Sequence, residues 1–118
     1  KPKIGKDVYI GGFSEVNAKG AQVSIGDFCD IASFVSINSA DSHLKCIGLS
    51  AEVYCKDITI ENHVFIGSHS VIKAGAYIGH HSVVAAGSIV GSVKVPSYSL
   101  VVGNPAVIKP GYYLNKKK

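Results

Sequence analysis

Aliphatic side chains recur along this chain at an interval of six residues. They stand at Ile4, Ile10 and Val16, at Ile25, Ile31 and Ile37, and then without a break at Ile60, Ile66, Ile72, Ile78, Val84 and Val90. The next residue is often small (Gly5, Gly11, Gly26, Ala32, Gly67, Gly79, Ala85, Gly91). Four positions after each aliphatic comes a second small or β-branched residue: Val8, Ser14, Cys29, Val35, Val64, Ser70, Ala76, Ser82 or Ser88. Such a period matches neither the ~3.6 of an amphipathic helix nor the ~2 of an ordinary strand, either of which would scatter these residues over both faces. A triangular coil does not scatter them. If each unit forms one flat side, three units close a turn of about 18 residues, with the aliphatic side chains stacked inside and glycines relieving crowding near the corners. Parallel ladders then join each turn to the next, so the predicted class is all-β.

Two interruptions break the register. Val16 and Ile25 are nine apart, which predicts a small bulge at about Asn17 to Gly20. Ile37 and Ile60 are 23 apart, so a loop must leave the coil there; it is expected at about residues 42–57, carrying His43, Lys45, Cys46, Glu52, Tyr54 and Cys55. Loops projecting from a rigid scaffold are where chemistry usually sits. From Val95 onward prolines disturb the period, which predicts an irregular coil end over 95–118, a polar cap over the last rung and fraying from Gly111 to Lys118.

Composition narrows the picture. With 118 residues, 47% apolar and 17% charged, the chain is expected to form one folded domain over 1–118. Its short apolar runs predict no membrane insertion. No basic stretch followed by an apolar segment marks it for secretion, and three irregularly spaced cysteines argue against a disulfide framework, so a reducing cytoplasm is expected. The net charge is +4, and all of the basic residues are lysine. Without arginine, base-specific nucleic-acid recognition loses its commonest contact, and the excess suits a small phosphorylated molecule better than a duplex.

The stretch from Lys56 to Lys109 narrows it further. It carries Asp57-Ile58-Thr59-Ile60, Phe65-Ile66-Gly67-Ser68, Val84-Ala85-Ala86-Gly87-Ser88-Ile89-Val90 and Gly103-Asn104-Pro105-Ala106. These blocks resemble the hexapeptide-repeat acetyltransferases of the galactoside, maltose and xenobiotic O-acetyltransferase group. The resemblance implies a single-stranded left-handed parallel β-helix with a projecting loop, a homotrimer, and acetyl-CoA as co-substrate in the groove between neighbouring copies. It further implies a sugar-like acceptor and a catalytic histidine just before the loop, where Asn38-Ser39-Ala40-Asp41-Ser42-His43 stands, so the role falls on His43. Ser68 corresponds to a position whose backbone faces the thioester, and Ala86 to one whose backbone meets the pantetheine arm. Lys94 and Lys109 stand near the group's basic, CoA-phosphate-binding positions. The chain departs from the group at Phe65, where tryptophan is usual.

Acetyl transfer to a hydroxyl needs a base, a donor for the oxyanion and alignment. A neutral imidazole at His43 suits the first, and Asp41 is a candidate to orient it through the other ring nitrogen, set against a plain turn residue bonding its own backbone. The backbone N–H near Ser68 suits the second. N-acetylation of an amino sugar, perhaps nucleotide-linked, is the alternative on the same scaffold. His63 and His81, 18 apart, are predicted to lie one above the other, with His69 in the same outward slot and His80 on a neighbouring unit. That array raises a γ-type carbonic anhydrase reading with zinc, ranked below acetyl transfer; no metal is assigned. A non-catalytic β-helix ranks below it too. Cys46 and Cys55 are expected to be small buried hydrophobes.

Overall fold

The computed structural model describes residues 1–116. The chain winds as a triangular prism of 51 × 28 × 20 Å whose three walls are parallel sheets. The first wall stacks β1 (Lys3–Ile4), β4 (Val23–Ile25), β9 (Ile58–Ile60), β12 (Tyr77–Ile78) and β15 (Lys94–Val95). The second stacks β2 (Tyr9–Ile10), β5 (Asp30–Ile31), β10 (Phe65–Ile66), β13 (Val83–Val84) and β16 (Leu100–Val102). The third stacks β3 (Glu15–Asn17), β6 (Ser36–Asn38), β11 (Val71–Lys73) and β14 (Ile89–Val90).

The repeat register is the stacking register. Ile25 pairs with Ile60, Ile31 with Ile66, and Ile37 with Ile72 on successive turns. From Ile25 to Val101 these inward positions are 0–3% exposed, whereas Ile4 on the first turn is 45% exposed. The second small position closes each corner from inside. Ser70, Ser82, Ser88 and Ser99 are buried there, and each hydroxyl bonds to backbone: Ser70 Oγ and Ser88 Oγ donate to the Ala85 carbonyl at 3.0 and 2.7 Å, Ser82 Oγ and Ser99 Oγ to that of Pro96 at 3.2 and 2.6 Å. A buried hydroxyl without such a partner would cost free energy, so these corners take serine only because a carbonyl is in reach.

The close approach of turns is what demands glycine at Gly67. A Cβ there would lie 2.5 Å from Ala86 N and 2.7 Å from Ala86 Cα, both backbone atoms of the next turn. Gly67→Ala is therefore expected to cost about 1–3 kcal/mol, read as a lowered denaturation midpoint. Gly12, whose Cβ would meet nothing within 4 Å, is the control: alanine there should change stability by no more than ~0.5 kcal/mol.

In eight units the fourth residue is a non-glycine that turns the corner with a positive φ of 54–63°, and seven of these eight residues carry rings. Left-handed φ is unfavourable for bulky side chains, and stacking offsets the cost. Phe28, His63, His81 and Tyr98 form one outer stack with centroids 5.0, 4.7 and 4.9 Å apart. Phe13, Phe34 and His69 form another, at 5.1 and 5.0 Å. His63 and His81 thus lie one above the other as the spacing predicts, but His69 belongs to a different corner.

Three expectations need correction. Regular winding persists through Val102, because Val95 and Val101 are fully buried inside the last turn despite the prolines; β17 (Val107–Lys109) then folds back antiparallel on β16 and covers that edge. The segment from Gly111 does not fray through Lys116: Tyr113 N–H donates to the Tyr98 carbonyl at 3.0 Å and Leu114 N–H to that of Gly111 at 3.1 Å. Lys117 and Lys118 lie outside the described residues. Cys46 is exposed and Cys55 half-buried, since both sit on the projecting loop; only Cys29 fills the core, where burial pushes its thiol up.

Candidate active site

The loop departs where the third wall turns toward the first. Asn38 Oδ1 accepts the Ala40 N–H at 3.0 Å, and Ser39 is buried with its hydroxyl on the Asn17 carbonyl at 3.0 Å. A two-stranded antiparallel ribbon, β7 (Ala40–Asp41) with β8 (Tyr54–Cys55), carries the chain out and back. At its tip lies α1 (His43–Cys46), a single turn with no buried residue.

Asp41 and His43 meet on this loop. His43 Nδ1 lies 3.0 Å from Asp41 Oδ1, which also accepts the His43 backbone N–H at 3.3 Å. A carboxylate only accepts, so Nδ1 carries the proton, which in the neutral imidazole leaves the lone pair on Nε2. The pair borders a cavity of 410 Å³ lined on the coil side by Ser36, Asn38, Val71, Lys73, Gly91 and Ser92. Tyr54 closes it from β8. Sequence reasoning missed Tyr54, Lys73 and Asn38. A signal for two of them was present: Asn38 and Lys73 follow Ile37 and Ile72, where most units place glycine or alanine, and they stand opposite each other in register.

The other expected site residues lie elsewhere. Ser68 and Ala86 share the corner between the second and third walls, with Gly87 N–H bonded to the Ser68 carbonyl at 2.9 Å. Within one copy that corner and His43 are at opposite edges of the third wall. Lys94 is on the first wall, its Nζ 5.2 Å from the Tyr77 ring centroid, while Lys109 lies on β17 beside the second. The two lysines are therefore not brought together on one face of a single chain.

A second cavity of 370 Å³ is lined by Glu61, Asn62, His63, His80 and His81. Tyr77 donates its hydroxyl to Glu61 Oε2 and His80 its N–H to Oε1 at 2.9 Å; the Tyr77 bond foremost holds the Glu61 carboxyl below its usual range and raises the tyrosine. Desolvation, then the neighbouring His63 and His80, push His81 down. His80 Nδ1 and His81 Nδ1 lie 2.9 Å apart. Among the described residues no three His, Cys, Asp or Glu side chains are grouped to hold a metal ion. Nor is any helix among them long and apolar enough to cross a membrane.

Residues 57–92 match the family model described as bacterial transferase hexapeptide (six repeats). Residues 57–92 are thus hexapeptide repeats, and the chain has the left-handed β-helix fold. Among solved structures it is similar to the hexapeptide-repeat-containing acetyltransferase VCA0836 of Vibrio cholerae, at 38% identity over 92% of this chain and 61% of that one, with a TM-score of 0.81. It is similar also to NeuO, an acetyltransferase specific for polysialic acid, at 35% identity over 94% of this chain and 52% of that one (TM-score 0.82). Galactoside acetyltransferase in complex with coenzyme A matches at 30% over 92% and 54%, with a TM-score of 0.77. This hexapeptide-repeat chain thus spans less than two thirds of the length of each. A comparison with curated proteins finds no match.

Proposed function

We propose that the chain is an acetyl-CoA-dependent O-acetyltransferase for a sugar or similar small hydroxylated acceptor, working as a homotrimer. The observation that carries this reading is the Asp41–His43 pair, 3.0 Å apart at the mouth of a 410 Å³ cavity, in a chain 30–38% identical over more than nine tenths of its length to acetyltransferases. VCA0836 has also been solved with acetyl coenzyme A, and galactoside acetyltransferase with coenzyme A.

The chemistry follows from the tautomer. His43 Nε2 takes the proton of the acceptor hydroxyl as its oxygen attacks the thioester carbonyl. The tetrahedral oxyanion is met by the Ser68 backbone N–H, which has no backbone acceptor among the described residues. Collapse breaks the carbon–sulfur bond, and the imidazolium returns its proton to the departing thiolate. The Asp41 carboxylate stabilises the imidazolium meanwhile. Because His43 and the Ser68–Ala86 corner flank opposite edges of one wall, a complete site takes the loop of one copy and the corner of its neighbour. Ala86 there lies along the pantetheine arm, and Lys94 and Lys109 serve phosphate groups from separate faces.

The test is CoA release from acetyl-CoA with a panel of hydroxyl sugars and amino sugars, alongside sedimentation of the protein. Release with hydroxyl acceptors by a three-copy particle is expected. Release with amines alone would make the chain an N-acetyltransferase, and a fully active monomer would remove the shared site.

A further inference from the structure

The two ion pairs found among the described residues meet on one carboxylate. Asp41 Oδ1 takes His43 Nδ1 at 3.0 Å, and its Oδ2 faces Lys73 Nζ at 3.9 Å. The partners of Asp41 differ in how firmly they are held. His43 rides on α1, which buries nothing, within a loop exposed from Ser42 through Leu49. Lys73 ends β11 inside the third wall, in register with Asn38 of β6 and next to Ile72, which is 0% exposed. Its backbone is thus fixed by the coil. At 3.9 Å and with side chains 51% and 37% exposed, this is a charge contact rather than a short hydrogen bond, worth little as stability. Its geometric effect is different. A cation rising from the wall draws Oδ2 toward it, which favours the orientation in which Oδ1 faces the imidazole.

We propose that Lys73 is a positioning residue: through Asp41 it holds His43 as the Nδ1–H tautomer, with Nε2 free toward the cavity. The catalytic consequence rests on His43 being the base, but the tautomer is observable without turnover. It would be read by NMR of the full chain labelled with ¹⁵N-histidine, at a pH where the imidazoles are neutral, with the His43 signals assigned from a His43→Gln sample.

In the native chain the Nδ1–H form of His43 should predominate. Lys73→Met should lower the ratio of Nδ1–H to Nε2–H by about fivefold, and Lys73→Arg should keep it within about twofold of native, because the guanidinium preserves the charge. The decisive sample is the double variant: Lys73→Met added to Asp41→Asn should change nothing further, since a residue acting only through Asp41 has no effect once the carboxylate is gone. A further change in that background would overturn the proposal, as would an unaltered ratio in a folded Lys73→Met chain or a native His43 protonated at Nε2. Should the ratios behave as expected while the native chain releases no CoA with any acceptor, the positioning role stands and the assigned activity falls.

Discussion

Replacing His43 by alanine is expected to lower kcat for CoA release by about 100- to 10,000-fold while leaving KM for acetyl-CoA within about twofold of native. The split follows from where the imidazole acts. In the proposed mechanism it accepts the proton of the incoming hydroxyl, so its loss should be felt in the transition state and not in the binding of the thioester, whose proposed contacts lie on the Ser68–Ala86 corner. No compensating loss of fold is expected, because α1 buries no residue and, among the described residues, His43 is ion-paired only with Asp41. Steady-state kinetics with a thermal melt separates the two: a shared fall in activity and melting temperature would mean that the histidine is structural. A loss of less than about tenfold would require another base, for which the remaining ionisable lining of the cavity is Asp41, Lys73 and Tyr54.

The wall structure was legible because its cause is local and repeated. One aliphatic per six residues can be buried only if every unit makes the same turn, so Ile25, Ile31 and Ile37 carry the same information as Ile60, Ile66 and Ile72. Departures from the period were legible as well: the gap between Ile37 and Ile60 locates the loop, and His43 lies on it. What eluded sequence reasoning depends on three-dimensional neighbours with no fixed spacing. Lys73 reaches Asp41 across 32 residues because β6 and β11 are adjacent although the loop lies between them. The burial of Val95 and Val101 was hidden because the last unit is out of step with the period, which suggested that the coil had ended. The ring stacks were half visible. The corner slot was recognised as outward, but that its φ is left-handed, and that rings there stabilise one another between turns, follows from the backbone.

Those stacks and the inward column make different contributions, and one substitution in the column should dominate. Ile72→Ala is expected to cost about 2–5 kcal/mol, a large share of the roughly 5–15 kcal/mol available to a domain of this kind. Ile72 is fully buried, and its strand is paired on both sides, with Ile37 of β6 below and Val90 of β14 above. Neither neighbouring turn can slide to fill the gap, because the ladder hydrogen bonds on all three walls fix the spacing between turns; the side chain removed therefore leaves a cavity rather than a collapsed core. Ile4→Ala provides the contrast, since that side chain is 45% exposed on the first turn and should cost less than about 1 kcal/mol. Urea denaturation at one fixed protein concentration keeps any association between copies constant across the pair. A markedly lower midpoint for Ile72→Ala is expected. Equal midpoints would mean that the inward column is not what holds successive turns together, and that the outer ring stacks and backbone ladders suffice.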